Sequence, residues 1–165
     1  MTNFQHVCAL TLMLCAGTLH AQVSQRAAFV GNNGNIEGSV TSYTFSPTGA
    51  PVFVAKFITG AGSGNAGNNV TGISLTPDGR FLATTHATAA TIERITILRV
   101  NSDATLAAAG TFTTPDSPLD CSWLKNDVLA VTQTNTSLPN KVFVYRFNEV
   151  GPTLTQIDEE PAGTF

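Results

Sequence analysis

The feature that most constrains this chain is an internal repeat. Shifting Phe81–Asn101, "FLATTHATAATIERITILRVN", by 47 positions lays it without gaps on Val128–Asn148, "VLAVTQTNTSLPNKVFVYRFN". Leu82/Leu129, Ala83/Ala130, Thr85/Thr132, Arg99/Arg146 and Asn101/Asn148 are identical, where ordinary residue frequencies give about one coincidence. Most other pairs are conservative, among them Ile95/Val142, Ile97/Val144, Leu98/Tyr145 and Val100/Phe147. With one gap in the preceding turn, "GISLTPDGR" (Gly72–Arg80) aligns with "DCSWLKND" (Asp120–Asp127). A degenerate third copy comes earlier, "AFVGNN" (Ala28–Asn33) standing for "LATTH" and "VTSYTF" (Val40–Phe45) for "ITILRV".

A repeat of this period, rich in Thr and Val, is the signature of a β-propeller, in which each unit is a four-stranded blade. Strands are expected at Val70–Leu75, Phe81–Thr85, Arg94–Val100 and Leu106–Phe112, then at Leu119–Leu124, Val128–Gln133, Lys141–Phe147 and Leu154–Asp158. The segments "ITILRV" and "VFVYRF" are apolar on both faces, as a sheet pressed between two neighbours requires. The expected fold class is all-β: propeller blades of four antiparallel strands, incomplete at about three blades, spanning about 27–58, 68–113 and 117–160. Propellers close with about four to eight blades. The expectation is therefore a fragment of a longer propeller, or copies that self-assemble to complete a ring. A β-sandwich of two packed sheets is the alternative.

Residues 1–21 read as a signal peptide and 22–165 as the domain. Cys8–Leu19 is an unbroken apolar to weakly polar run followed by His20-Ala21 and a polar stretch, which matches a secretory h-region. It is shorter than the roughly 20 residues a spanning helix needs. The expected localisation is secreted or periplasmic, with no membrane association after cleavage. Cys121 is then the lone cysteine of the mature chain and no intrachain disulfide forms. A charged fraction of 12%, a net charge of −3 and eight scattered basic residues exclude nucleic acid as an expected partner.

The punctuation "LTPDGRFLATT" followed by "ITILRV", and "VLAVTQT" followed by "VFVYRF", resembles the secreted seven-bladed lactonase-like propeller family of the 6-phosphogluconolactonase type. The resemblance covers roughly Ala28–Asp158. Where that family often carries a Pro-His pair on an inner strand, this chain has "NVTGI" and "PLDCS". The resemblance implies hydrolysis of a sugar lactone, with a small-molecule lactone or carbohydrate as partner and no cofactor. The competing expectation is a non-catalytic propeller that binds a protein or glycan.

Loops leaving second strands and entering first strands lie on one propeller face, around the mouth of the central channel. That puts Asn32, Asn33, Asn69, His86, Asp116 and Gln133 on one rim. His86 and Asp116 are the candidate catalytic pair, since an imidazole beside a carboxylate can polarise a carbonyl or activate water. Asn32, Asn33, Asn69 and Gln133 are the candidate ligand-binding groups. Cys121 aligns with Ile73 and reads as a small core group rather than a nucleophile. No metal spacing occurs. Gly62-x-Gly64-x-x-Gly67 precedes a strand instead of a helix, so it reads as a loop and not as a dinucleotide site. Thr76-Pro77-Asp78-Gly79 reads as a structural turn, Arg80 as a cover for the blade edge, and Asp158-Glu159-Glu160 as a solvated run beyond the outer strand.

Overall fold

The computed structural model describes residues 26–33, 38–59, 69–86, 93–115, 117–135 and 138–161. The proposed signal segment, Asp116 and residues 60–68 of the Gly-rich loop lie outside them. Every regular element described is a β-strand, and among the described residues no helix is long and apolar enough to cross a membrane. Sheet I contains β1 (Ala27–Asn33), β2 (Gly38–Phe45) and β3 (Pro51–Ile58). Sheet II contains β4 (Gly72–Leu75), β5 (Phe81–Thr85), β6 (Glu93–Val100) and β7 (Leu106–Thr113). Sheet III contains β8 (Ser117–Lys125), β9 (Val128–Asn135), β10 (Leu138–Asn148) and β11 (Thr153–Pro161). Each sheet is an antiparallel meander in chain order. These are incomplete propeller blades, three sheets stacked face to face.

The repeat is preserved in the strand register. Phe81↔Arg99, Leu82↔Leu98, Ala83↔Ile97 and Thr85↔Ile95 in sheet II become Val128↔Arg146, Leu129↔Tyr145, Ala130↔Val144 and Thr132↔Val142 in sheet III. Sheet I follows with Ala28↔Tyr43 and Gly31↔Val40. On this register β1 corresponds to β5, so sheet I lacks, among the described residues, a strand equivalent to β4. The acidic run differs from expectation: Asp158, Glu159 and Glu160 belong to β11 itself, where Glu159 pairs with Lys141 at 2.9 Å.

Residue alternation on the strands sends one set of side chains to each neighbouring sheet. Phe81, Ala83, Ile95 and Ile97 meet Cys121, Trp123, Leu129, Val131, Phe143, Tyr145 and Phe147 in the core between sheets II and III. Leu82, Leu98 and Val100 point the other way and meet Val40 of sheet I, with Phe29 and Phe57 packed around them. The third strand of sheet II is therefore apolar on both faces because both faces are covered.

The β4–β5 turn shows how local chemistry sets this register. Gly79 adopts φ 72° and its N–H donates to Thr76 O at 2.8 Å. Thr76 Oγ1 donates to Asp78 Oδ1 at 2.7 Å and accepts from Phe81 N at 3.0 Å, closing the hairpin from inside. Pro77 pre-sets the first central φ, and only glycine takes the positive φ without strain. Ser46-Pro47-Thr48-Gly49 repeats this chemistry between β2 and β3, with Gly49 at φ 84° and its N–H bonded to Ser46 O at 2.8 Å.

Candidate functional site

The second strands of the three sheets end at one end of the stack, and the inner strands begin there. Strand register makes Asn32, His86 and Gln133 equivalent, each one residue beyond the Gly31, Thr85 and Thr132 positions. Main-chain and hydroxyl bonds stitch this end across sheets. Val70 N reaches Asn32 O at 3.4 Å, Thr71 N donates to Thr85 O at 2.9 Å, and Thr71 Oγ1 reaches Pro118 O at 3.4 Å. Thr85 Oγ1 donates to Leu119 O at 3.1 Å, and Pro118 pairs with Gln133. The expected rim residues Asn32, Asn69, His86 and Gln133 thus lie at one end, with exposed Asn33 beside them.

Their side chains behave differently from open-loop groups. His86 is 1% exposed, with Nε2 3.2 Å from Thr84 Oγ1 and 3.5 Å from Thr96 Oγ1. Asn32 Nδ2 donates to Ser39 Oγ at 2.9 Å and to Thr41 Oγ1 at 2.8 Å. Thr41 and Thr96 are themselves register equivalents, so Asn32 and His86 use the same hydroxyl on the neighbouring strand. Sheet III has Phe143 at that position, and Gln133 Nε2 reaches instead to Tyr145 Oη at 3.0 Å. One position therefore plays one part in all three sheets: a nitrogen-bearing side chain folded back against the third strand. The sequence expectation turned these side chains toward the channel, whereas here Asn32, His86 and Gln133 each reach a group on a neighbouring strand. The signal that distinguishes the two is the hydroxyl at positions 41 and 96, aligned by the same repeat.

Asn69 stands apart, because its Oδ1 is buried without a hydrogen-bond partner. An unpaired buried amide oxygen is costly, about 1–3 kcal/mol, and Thr59 Oγ1, on the residue whose N–H bonds to Gly38 O beside Asn33, is a second buried polar atom without a partner at this end. Cys121 is in the core with Sγ 3.8 Å from Ala83 O. Burial first, and the adjacent Asp120 charge second, push its thiol up to about 12. It has no thiolate character near neutrality. Among the described residues no three His, Cys, Asp or Glu side chains converge as metal ligands.

A second polar cluster lies at the opposite end of the β4–β5 and β8–β9 hairpins. Arg80 Nε contacts Asp78 Oδ2 at 2.7 Å and Arg80 Nη1 contacts Glu149 Oε2 at 2.9 Å. The Arg80 and Arg99 guanidinium groups lie 5.2 and 4.8 Å from the Phe81 ring centroid. Partial burial alone would raise the Asp78 carboxyl, but bonds from Arg80 and Thr76 hold it below the ordinary carboxylate value. Arg80 is thus not a cover for a free edge. It ties sheet II to sheet III beside a cleft of about 220 Å³ lined by Phe81, Asn126, Asp127, Phe147, Asn148 and Glu149.

No family model matches this chain, and no curated protein matches it by sequence. Solved structures do. A Lactobacillus plantarum protein superposes with a TM-score of 0.67 at 19% identity, over 82% of this chain and 38% of its own. A Bacteroides fragilis protein provisionally assigned as a 6-phosphogluconolactonase gives 0.64 at 17% identity, over 85% of this chain and 40% of its own. Saccharomyces cerevisiae Sqt1 gives 0.57 at 19% identity, over 86% of this chain and 34% of its own. The chain spans about two fifths of the first two structures, and at these identities the likeness is one of fold alone.

Proposed function

We propose that this chain supplies blades of a lactonase-like propeller and that its part in function is to bind a small polar ligand, a carbohydrate or a lactone, at the end where the inner strands begin. The observation that carries this reading is Asn69, whose buried Oδ1 has no hydrogen-bond partner, beside exposed Asn33. A sugar hydroxyl is a donor that such an oxygen accepts. Asn32, His86 and Gln133 serve in this reading as the wall that holds the strand ends in place. The apolar run Cys8–Leu19 supports export of the protein.

Hydrolysis of a sugar lactone is the second reading, favoured by the likeness to the Bacteroides fragilis protein. In it His86, with Asp116, assists attack of water on the ring ester. Titration calorimetry with sugar lactones and the corresponding sugar acids, run beside a lactone-opening assay, separates the two. Binding without turnover, weakened by Asn69→Ala, is the expected result. The His86→Gln variant takes the residue of the next sheet and keeps a hydrogen-bonding side chain. Turnover in the parent that this variant abolishes, with binding retained, would establish the hydrolase instead.

A further inference from the structure

We infer that the ligand at the end where the inner strands begin is an uncharged oligosaccharide, held at two points on either flank of the paired ends of β1 and β2. The inference rests on the ligand-binding reading above and names the class of ligand that site takes.

Asn69 Oδ1 and Thr59 Oγ1 are the two buried side-chain oxygens without a hydrogen-bond partner among the described residues. Asn33 pairs with Gly38, and Thr59 N donates to Gly38 O at 2.9 Å, so these three residues stand abreast on neighbouring strands. Adjacent strands lie about 4.8 Å apart, which sets Thr59 about 10 Å from Asn33 along the row. Val70 N reaches Asn32 O at 3.4 Å from the opposite flank of β1, and that contact brings Asn69 to the inner end of the same row. Side-chain alternation gives the row one face. A Cβ at Gly31 would meet the side chains of Val70 and Ile73, so Asn33, two residues on, is turned toward sheet II as well. Gly31 pairs with Val40 and Val40 with Phe57, and Thr59 lies two residues past Phe57. The Thr59 hydroxyl, on a residue 1% exposed, therefore belongs to the junction of sheets I and II. The two oxygens flank exposed Asn33 at that junction. A single sugar ring, about one strand spacing across, does not reach from one to the other. A chain of rings does.

The chemistry of the row selects hydroxyl groups. Asn69 Oδ1 only accepts a hydrogen bond, whereas Thr59 Oγ1 accepts or donates. Asn33, Thr59 and Asn69 carry no charge, and Lys56 pairs with Thr41 on the opposite face of sheet I. The ester group of a lactone offers acceptors only, so it has nothing to give Asn69 Oδ1. A sugar phosphate would bring negative charge to oxygens that have no cation beside them among these residues. An alcohol hydroxyl donates to one oxygen and exchanges a bond with the other. Because the fold already holds both oxygens out of water, each new bond adds affinity without a further desolvation cost on the protein side.

The test is titration calorimetry on the full chain with cellotetraose, maltotetraose, glucose, glucono-1,5-lactone and glucose 6-phosphate. The expected result is a Kd about tenfold lower for one of the tetrasaccharides than for glucose or the lactone, the gain of a second hydrogen-bonded point, with the phosphate weakest of all. Thr59→Val keeps the side-chain shape and removes an oxygen that bonds to nothing, so it leaves the fold intact. It should weaken the tetrasaccharide about fivefold and leave glucose unchanged, whereas Asn69→Ala should weaken both. Affinity independent of chain length, a Thr59→Val variant that binds the tetrasaccharide as the parent does, or tighter binding of the phosphate would each overturn the inference. Glucose or lactone binding that Asn69→Ala weakens would survive any of those results and keep the ligand-binding reading. Binding of none of the five sugars would overturn that reading and the inference with it.

Discussion

The two junctions in this molecule are built from one repeat, yet they are not equally reinforced. Between sheets II and III the Phe147 ring meets Phe81, Trp123 and Phe112 edge-on, with centroids 5.2, 6.1 and 6.2 Å apart. Arg80 and Glu149 then close that junction from one end, and β8 contributes an inner strand. Between sheets I and II the core is aliphatic, centred on Val40, Leu82, Leu98 and Val100. Among the described residues sheet I offers no inner strand there, and its far face leaves Phe53 61% and Val30 47% exposed. A blade needs both neighbours before its apolar faces are covered, so strength in this stack follows the number of strands each junction receives.

The largest expected effect comes from the aromatic junction. Phe147→Ala removes the ring common to three edge-on pairs and should cost about 3–5 kcal/mol, against about 2–3 kcal/mol for Leu98→Ala at the other junction. Urea unfolding with unchanged m-values measures both. An equal or larger loss for Leu98→Ala would mean that the junctions are equally reinforced. The glycines sharpen the same contrast. A Cβ at Gly72 would meet the Asp120 main chain and side chain and Thr85 Oγ1, all within 2.7 Å. At Gly31 it would meet the Val70 side chain, with Cγ1 at 2.5 Å. Backbone cannot yield as a valine rotamer can, so Gly72→Ala should cost about 2–3 kcal/mol and Gly31→Ala about 1 kcal/mol. Reversal of that order would place the tighter strand crossing at the first junction.

Next in size is the ionic clamp. Arg80→Met keeps much of the packing on Phe81 but removes both ion pairs, and should cost about 1–2 kcal/mol, falling at high salt. Its pH dependence follows from Asp78, whose folded carboxyl lies below the ordinary 3.8 because its bonds to Arg80 and Thr76 outweigh burial. A depressed carboxylate contributes stability that is complete above the unfolded value and is lost as pH falls through the folded one. Thermal unfolding of the parent should therefore weaken below about pH 4 more steeply than that of Arg80→Met. Parallel profiles would show that the Asp78–Arg80 pair in the β4–β5 turn adds nothing to stability.

Much of the fold was legible because a gapless repeat fixes strand spacing and, through two-residue alternation, the face each residue takes. Ile95 and Ile97 on one face of β6, and Leu98 and Val100 on the other, were readable as core positions of a sheet covered on both sides for that reason. Strand β3, "PVFVAKFI", escaped because the third copy is degenerate there and nothing in the later copies marks it. Arg80 was misplaced because its partner Glu149 is 69 residues away and no local pattern joins them. The rim was legible as a set of positions and not as side-chain directions. Whether His86 faces the channel or its own sheet depends on Thr96, across a strand pair, and a linear reading that asks only which loop a residue occupies does not weigh that hydroxyl.

The smallest effects separate turn chemistry from junction strength. Gly49 and Gly79 occupy equivalent Ser/Thr-Pro-x-Gly turns, one on the weakly covered sheet and one on the doubly covered sheet, with φ of 84° and 72°. A Cβ at either would meet nothing within 4 Å. Any cost of Gly→Ala there comes from the backbone alone, about 1 kcal/mol, and should be the same in both sheets. Asn in place of Ala should recover part of it, since Asn tolerates the left-handed region better. Denaturant midpoints of the four variants test this. A larger loss at Gly79 would show that the β4–β5 turn also reports on the junction beneath it, through Asp78 N and Asn126 Oδ1 at 3.1 Å. The clamp and the turn would then be one cooperative unit rather than two.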